Sequence, residues 1–260
     1  MLRTPNAEHR TISVKGSRLR TINQAALPWV ASLDEVLLEA RSQPAQTVLF
    51  RGERVEEVSS YVAAWMVNQG MDVIVLDGAN RFDPYTVSSF ARHVLISPEE
   101  LLKKIRIARA FTCYQMASLM GEKLASLLKG EGAIAQPPRP LVILLGLINT
   151  FLDEDVTERE ASSLLERSLK KVGTLAAEGI PFFLFQVSSS AHSRRGYLIR
   201  KLFQFANLVW KISLDDEGPK LVMEKGLASN DGIERLGVKV RKPEKRASLP
   251  QPRPHFERVY

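Results

Sequence analysis

Eight residues between an apolar run and a helix-like segment have the spacing of a phosphate-binding loop. They read Gly-Glu-Arg-Val-Glu-Glu-Val-Ser, from Gly52 to Ser59. A GxxxxGK[S/T] loop uses backbone N–H groups to cradle phosphates, a Lys to reach the terminal phosphates and a hydroxyl to hold Mg²⁺. Here only the first Gly and the hydroxyl are present. Gly52 and Ser59 are therefore the residual candidates for holding an anion, and nucleotide binding is not expected.

The residues that replace the rest of this motif oppose phosphate binding. Glu57 and Val58 occupy the places of the second Gly and the Lys. Glu53 and Glu56 add two more carboxylates against the single cation of Arg54, and carboxylates repel a triphosphate. On these residues alone, an ordinary strand-to-helix turn is an equally good interpretation.

Short apolar runs alternate with helix-like segments along the middle of the chain. Continuous apolar runs of this kind are typical of parallel strands covered on both faces, and the alternation indicates βαβ units. The sequence predicts an α/β fold, a doubly wound, mostly parallel sheet flanked by helices, with a C-terminal β-hairpin. The expected strands are 47–51, 72–77, 105–110, 141–146, 181–187 and 208–213, and the last pairs with 220–224.

Helix boundaries are indicated by local residue types. Ser97 and Thr157 each begin a predicted capping box, in which a hydroxyl bonds a first-turn N–H and a Glu three residues later bonds back. Pro98 suits the first helical position after Ser97. Gly179 is expected to end the long helix that begins near Thr157, because Gly readily adopts the left-handed conformation of a helix C-terminus.

Basic residues are concentrated at the two ends of the chain, whose formal net charge is +7. Residues 1–20 carry five basic side chains against one acidic, and residues 237–260 carry seven against two. Such ends could neutralise phosphates and give salt-dependent nucleic-acid binding, although basic tails are also commonly just solvated and disordered. The expected organisation is a basic N-terminal segment, 1–27, a core domain, 28–225, and a basic, Pro-containing flexible tail, 226–260.

The composition is that of a globular protein of a reducing compartment. Apolar residues make up 45% of the chain and charged residues 25%, which are ordinary values for a domain with a sizeable core. The single Cys113 excludes an intramolecular disulfide and a cysteine metal cluster. The sequence lacks an apolar stretch of about 18 residues and an apolar leader after Met1. A cytoplasmic location is expected, with no membrane partner.

Six segments resemble, in consistent order, those of one ATPase family. Residues 105–115 read IRIARAFTCYQ and resemble the ARAF…Q strand and helix start of RecA-superfamily recombinases, of the archaeal RadA or KaiC-like kind. Residues 32–38 are similar to the family's xLDxLL segment, and residues 75–84 are similar to its IDTENxFRP segment. Residues 141–145 occupy its Walker B place. Residues 185–187 resemble the strand end before its second DNA-binding loop, and residues 206–211 resemble its late ADxVxRL strand. The resemblance implies a RecA-like core, with another doubly wound α/β fold as the main competitor.

The departures from that family concern the charged groups of ATP hydrolysis. The resemblance implies a Lys at Val58, an acidic Walker B side chain at Leu145 and a water-activating Glu at Ala79. All three residues are apolar, so both Walker motifs are degenerate. Phosphoryl transfer depends almost entirely on positioning and electrostatic stabilisation. We therefore expect a pseudo-ATPase with no catalytic residue, no cofactor and no bound metal.

The resemblance places a DNA-binding loop after residue 187. Hydroxyl, Arg and aromatic side chains suit phosphate contacts and base stacking, and basic residues continue onto the next helix and into the tail. The expected DNA contacts are Ser188, Ser190, His192, Arg194, Arg195, Tyr197, Arg200, Lys201, Lys239, Arg241, Lys242, Lys245 and Arg246. For the loop alone, a solvated Ser-rich connection is an equally good interpretation.

These patterns lead to one preferred function and two alternatives. The preferred function is a non-catalytic RecA-like accessory protein of DNA recombination or repair. It would bind DNA, chiefly single-stranded, and a protein partner such as a recombinase, polymerase or nuclease subunit, and both homo- and hetero-oligomers are open. The first alternative is a structural scaffold subunit that does not bind DNA. The second is a weak ATPase completed by a Lys or Arg of a neighbouring subunit.

Overall fold

Parallel strands joined by helices form the fold in the computed structural model of this protein. The structure describes residues 33–34, 36–37, 47–129, 139–152, 155–187, 196–215 and 218–225. The predictions for the basic N-terminal segment and for the tail lie outside these residues.

Seven strands of the described chain form one sheet. They are β1 (Thr47–Gly52), β2 (Val73–Asp77), β3 (Ile105–Arg109), β4 (Leu141–Leu145), β5 (Phe182–Val187), β6 (Leu208–Asp215) and β7 (Gly218–Lys225). Their order is β3-β2-β4-β5-β1-β6-β7, and every pairing is parallel except that of β6 with β7. The predicted α/β class and mostly parallel sheet are confirmed. Each predicted parallel strand is present to within two residues at either end.

Helices flank the sheet, because parallel strands need long crossover connections. They are α1 (Val55–Asn68), α2 (Pro84–His93), α3 (Pro98–Leu102), α4 (Cys113–Ser118), α5 (Leu124–Lys129), α6 (Glu158–Ala177) and α7 (Gly196–Phe205). A π-helical turn, Leu119–Lys123, joins α4 to α5, and a 3₁₀ turn, Leu147–Phe151, follows β4.

The sheet separates two apolar cores. In β1, Phe50 packs in the core that contains α1, α2 and α3, whereas Leu49 packs in the core that contains α4 to α7. The chain steps from β1 out to β3 and then returns in the opposite direction to β6. Right-handed crossovers place the helices of the outward and returning steps on opposite faces. Both faces of the central strands are therefore covered, as their apolar composition predicts.

Helix ends follow the predicted signals with one exception. Thr157 Oγ1 accepts the N–H of Glu160 at 3.3 Å, so α6 has the hydroxyl half of its capping box. Gly179, with φ 89°, follows the end of α6 as predicted. The capping box predicted at Ser97 is wrong, because its hydroxyl makes no cap bond. The Ser97 carbonyl oxygen already accepts the N–H of Glu100 at 3.1 Å, which occupies the donor that the hydroxyl would use.

A short stretch before β1 is anchored on α1. Leu33, Val36 and Leu37 are buried in the same core as α1. Tyr61 of α1 donates its O–H to Asp34 Oδ1 at 3.0 Å. Burial is the main cause that raises the pKa of Asp34 and also that of Tyr61. This contact ties the stretch to the helix at whose start the candidate phosphate loop lies.

Candidate functional site

The loop between β1 and α1 is too short to form a phosphate cradle. Because α1 begins at Val55, only Glu53 and Arg54 separate it from β1. Arg54 has φ 54°, in the left-handed region. A phosphate cradle needs several successive N–H groups that face the anion. In this chain the N–H of Val58 already donates to the Arg54 carbonyl at 3.2 Å, within the first turn of α1.

The close packing of β1 against β6 explains why residue 52 is a glycine. Gly52 has φ 128°, and a Cβ added there would collide with the carbonyl oxygen of Ile212 in β6. The next residue, Glu53, donates its N–H to the same oxygen at 3.2 Å. Gly52 is therefore required by the close approach of β1 to β6, independently of any ligand.

The single cation of the loop is engaged by a carboxylate of the same loop. Arg54 Nε donates to Glu57 Oε1 at 2.9 Å, and a second guanidinium nitrogen contacts the other carboxylate oxygen. The hydrogen bond to Glu57 is the main cause that raises the pKa of Arg54. With these two charges cancelled, Glu53 and Glu56 leave the loop with net negative charge.

The hydroxyl of Ser59 is hydrogen-bonded within its own helix. Ser59 Oγ donates to the Glu56 carbonyl oxygen at 2.6 Å, and Ser59 is fully buried. The adjacent Ser60 Oγ accepts the N–H of Asp83 at 2.9 Å, which ties α1 to the start of α2. To reach a metal ion, Ser59 would have to leave its hydrogen bond and its buried position. The geometry supports its interpretation as an ordinary early-helix residue.

Next to this loop, the ends of the central strands form an apolar row. Leu145 of β4 is the register partner of Phe185 in β5, which in turn pairs with Phe50 in β1. The rings of Phe50 and Phe185 stack with their centroids 4.9 Å apart. All three residues are fully buried, in the cluster that also contains Val58. Val58 and Leu145, the positions to which the resemblance assigns the Lys and the Walker B acid, therefore lie in one apolar core.

Ala79, the position to which the resemblance assigns the water-activating Glu, lies beside the same apolar cluster. Ala79, in the loop after β2, packs on the cluster that contains Leu145. Gly146 has φ 58°, and a Cβ added to it would lie 2.5 Å from the Cβ of Ala79. A carboxylate-bearing residue at position 146 would meet both backbone strain and collision. If the Walker B place of the resembled family is shifted by one residue to Gly146, that position still has no room for an acidic side chain.

A buried carboxylate at the end of β2 organises the loop that carries Ala79. Asp77 is fully buried and accepts the N–H groups of Ala79 at 3.1 Å, Arg81 at 3.1 Å and Phe82 at 3.0 Å. Arg109 Nε lies 3.8 Å from Asp77 Oδ2. Three N–H donors and a nearby guanidinium compensate the desolvation of the carboxylate. Asp77 therefore uses its acceptor capacity to fold the loop.

An amide clasp joins the ends of β4 and β5. Gln186 is buried, and its Oε1 accepts the N–H of Ile148 at 3.0 Å. Its Nε2 donates to Asn149 Oδ1 at 3.0 Å. Both partners belong to the 3₁₀ turn after β4. The clasp fixes that turn against β5, just before the segment that the resemblance assigns to DNA.

A cleft of about 350 Å³ opens at the carboxyl ends of these strands. It is within the size range of sites for small ligands. Leu152 and Val187 are each 37% exposed, so part of its rim is apolar. One side chain of each charge, Glu56 and Arg81, lies on its walls. The full lining is Glu56, Ala79, Arg81, Ile148, Asn149, Leu152, Gln186, Val187 and Ile199.

Three of the predicted DNA contacts lie within the described residues, all on α7. Arg200 is exposed. Lys201 Nζ forms an ion pair with Glu166 of α6, and Tyr197 donates its O–H to the Glu158 carbonyl at 3.0 Å. Arg200 thus faces solvent, whereas Lys201 and Tyr197 tie α7 to α6. The other predicted contacts, Ser188, Ser190, His192, Arg194, Arg195, Lys239, Arg241, Lys242, Lys245 and Arg246, lie outside the described residues.

Sequence reasoning missed the bonding of Asp77 and Gln186. Asp77 ends an apolar strand and precedes a run of small and polar residues, which is a pattern typical of side-chain-stabilised turns. Gln186 is a lone amide in an apolar strand, and buried amides are normally hydrogen-bonded. Neither signal identifies the partners, since Ile148 and Asn149 lie 38 and 37 residues away along the chain.

No protein-family model and no curated protein matches this chain. Within the described residues, no helix has the length and apolar character needed to cross a membrane. Across the same residues, no three His, Cys, Asp or Glu side chains are grouped so that they could hold a metal ion.

Proposed function

We propose that this protein is a RecA-like pseudo-ATPase that acts in DNA recombination or repair by binding DNA and a protein partner. One structural observation is the main support for the proposed loss of catalysis. Val58 and Leu145, at the positions of the phosphate-contacting Lys and the Walker B acid, are fully buried in one apolar cluster. A charged side chain at either position would be desolvated without a partner. These positions serve the stability of the fold.

The rate enhancement that a Lys, a metal-binding acid and a general base would provide is large, and their replacement supports this proposal. In phosphoryl transfer, one well-placed cation is worth about 10³-fold or more in rate. Removal of a single donor to the developing negative charge costs about 10²-fold to 10³-fold in other enzymes. Here the cation at Val58, the acid at Leu145 and the base at Ala79 are replaced together. Hydrolysis at a biologically useful rate would require these groups from another source.

The order of the strands supports the RecA-like part of the proposal. The segments that resemble the family fall on β2, on β3 with the start of α4, on β4, on the end of β5 and on β6. In this sheet β4 and β5 lie between β1 and β2. In the Rossmann order, 3-2-1-4-5-6, and in the flavodoxin order, 2-1-3-4-5, strands 1 and 2 are neighbours. The two commonest competing doubly wound folds therefore fit less well.

The distribution of charge supports DNA binding. The two ends of the chain carry +4 and +5, whereas the residues between them carry −2, which gives the net charge of +7. On the described surface, Arg200 of α7 and Lys211 of β6 are both exposed. Cations that contact phosphates release condensed counterions and so give a binding free energy that depends on salt.

The cleft supports binding of a protein partner. Its rim exposes Leu152 and Val187, and its walls carry Glu56 and Arg81. An apolar rim with one group of each charge suits a side chain from another protein flanked by polar residues. A partner bound there would contact the 3₁₀ turn and the end of β5, which Gln186 holds together.

A salt titration tests the DNA-binding part of the proposal. Fluorescence anisotropy of a labelled single-stranded oligonucleotide should rise with added protein, and log K should fall linearly with log salt concentration. Arg200→Ala should weaken binding and reduce that slope by about one. Arg92→Ala, which removes an exposed Arg of α2 on the opposite face of the sheet, is the matched control.

Two results would favour the alternative functions. A protein with no affinity for single-stranded DNA, even at low salt, would contradict the DNA-binding part and support a scaffold function. ATP turnover that is lost in Ser59→Ala would support an ATPase completed by a neighbouring subunit, and it would overturn the pseudo-ATPase assignment.

A further inference from the structure

Two exposed aromatic residues and two arginines lie at the carboxyl ends of β2 and β3. Tyr85 is 81% exposed and Phe111 is 68% exposed. Arg81 is exposed, and the side chain of Arg109 is 48% exposed. Single exposed apolar residues are normal on a protein surface. A set of two large rings with two cations is a more specific combination, and we call these four residues the aromatic–arginine surface.

The sheet topology places the segments that carry these four residues after the carboxyl ends of two adjacent parallel strands. Asp77 and Arg109 are partners on adjacent parallel strands, and such strands run about 4.8 Å apart. Arg81 follows Asp77 in the loop after β2, and Tyr85 lies in the first turn of α2. Phe111 follows Arg109 by two residues and lies next to Thr112, which caps α4.

Both aromatic residues lie on backbone that side-chain hydrogen bonds hold in place. The carboxylate of Asp83 accepts the N–H of Tyr85 at 2.9 Å and caps α2. The N–H of Phe111 donates to Gln115 Oε1 at 2.8 Å, and Thr112 caps α4. Residues held in this way lose little backbone freedom when a ligand binds. The backbone that carries the two rings is therefore preorganised for contact.

The carboxylates within these segments are already engaged. Residues 105–115 contain no acidic residue. Between residues 77 and 85, Asp77 is buried and accepts three backbone N–H groups, and Asp83 caps α2. Glu56 is the acidic residue that shares the cleft with Arg81. The surface therefore combines exposed cations with flat aromatic faces.

We propose that the aromatic–arginine surface binds single-stranded DNA, with bases stacked on Tyr85 and Phe111 and phosphates contacted by Arg81 and Arg109. This inference rests on the DNA binding of the proposed function and gives it a place that the sequence resemblance does not. Aromatic rings stack on any base, which makes such binding tolerant of sequence. Guanidinium groups match the geometry of phosphate oxygens. Unpaired bases are free to stack, so a single strand should bind better than a duplex.

Alanine variants of the full-length chain test the surface. Tyr85→Ala and Phe111→Ala should each raise the Kd for a labelled oligothymidylate, by between about 5-fold and 100-fold. Tyr85→Phe and Phe111→Trp keep a stacking ring and should bind as the wild type does. Val222→Ala is the matched control, because it truncates a 46%-exposed side chain on β7, at the opposite edge of the sheet.

A second readout reports stacking itself. The fluorescence of 2-aminopurine in the oligonucleotide should fall on binding to the wild type and recover in Phe111→Ala. Arg81→Ala should reduce the salt slope by about one and leave the fluorescence change at saturation intact. Arg109 is left unchanged, because it lies next to the buried carboxylate of Asp77.

The outcomes separate this inference from the proposed function. If the wild type binds single-stranded DNA while both alanine variants keep its Kd and its fluorescence change, the surface is wrong and the proposed function stands. If the wild type has no affinity for the oligonucleotide, the DNA-binding part of both is wrong. If the alanine variants still bind DNA as the wild type does but no longer copurify with a protein that the wild type binds, the surface is a protein contact and the inference fails.

Discussion

Ala79 and Gly146 approach so closely that a Cβ added to Gly146 would lie 2.5 Å from the Cβ of Ala79. Gly78 is held in the same way, since its added Cβ would lie 3.0 Å from the Gly146 carbonyl oxygen. The loops that follow β2 and β4 thus pack tightly against each other. This is the region to which the sequence resemblance assigns a metal-binding acid and a water-activating Glu. At Gly78 and Gly146, packing in this region leaves little room for any side chain.

Charged residues introduced at the positions to which the resemblance assigns the Lys and the Walker B acid should damage the fold. Val58→Lys and Leu145→Asp each place an unpaired charge at a fully buried position, at a cost of about 3 kcal/mol or more in the free energy of unfolding. Urea denaturation measures this loss. Asn68→Lys, at an exposed position of the same helix, should stay within about 0.5 kcal/mol of the wild type. A Val58→Lys protein of wild-type stability that hydrolyses ATP would contradict the account.

The glycine of the loop should be needed for stability. Gly52→Ala would drive a methyl group into the Ile212 carbonyl, so we expect a loss of more than about 2 kcal/mol. Gly70→Ala is the control, because Gly70 also has a positive φ, 88°, but has no atom within 4 Å of its added Cβ. Its cost should be about 1–2 kcal/mol, from the left-handed conformation alone. Equal melting temperatures for the two variants would show that the contact with β6 is unimportant.

The amide clasp should hold the turn after β4. Gln186→Leu removes the acceptor of the Ile148 N–H and the donor to Asn149, at a cost of about 1–3 kcal/mol. Hydrogen exchange at the Ile148 amide should become faster, while exchange in α1 changes only as global stability does. Gln204→Leu, at an exposed position of α7, is the control. Unchanged exchange at Ile148 in the Gln186 variant would argue against the clasp.

An ion pair across the sheet predicts a dependence of stability on pH. Arg51 Nε donates to Glu224 Oε2 at 2.5 Å, and this bond is the main cause that lowers the pKa of Glu224. The stabilisation is therefore present above the ordinary Glu pKa of about 4.3 and is lost as pH falls through the lower folded-state value. Because both side chains are partly exposed, its size is about 1 kcal/mol or less.

Unfolding of Glu224→Gln at two pH values checks this dependence. The variant should be less stable than the wild type at pH 7, and the difference should shrink toward pH 2. Gln204→Ala, which changes an exposed uncharged side chain of α7, should show no such trend. A difference between wild type and Glu224→Gln that grows as the pH falls would have the wrong sign.

The sheet and its helices could be predicted because their signals are local. Continuous apolar runs specified strands such as β4, and the hydroxyl of Thr157 marked the start of α6. Ser97 has the same local pattern but no cap bond, because its backbone carbonyl takes the Glu100 N–H first. That competition depends on the exact backbone conformation, which residue types alone do not specify.

The site could be predicted only in part, because its decisive contacts join distant residues. The sequence resemblance pointed to Val58, Leu145 and Ala79 as apolar residues at charged positions of the family, but it could not place them beside one cluster. It also kept Gly52 as a residual phosphate-binding residue, whereas its partner, Ile212, is 160 residues further along the chain. A spacing pattern carries no information about such a partner.

Calorimetric titration of Mg²⁺–ATP into the full-length protein, with phosphate release followed in parallel, tests the central claim most directly. The buried apolar cluster around Val58 and Leu145 and the two-residue loop before α1 predict no saturable binding heat and no phosphate release above the rate without protein. Saturable binding accompanied by phosphate release, with both lost in Ser59→Ala, would contradict the account.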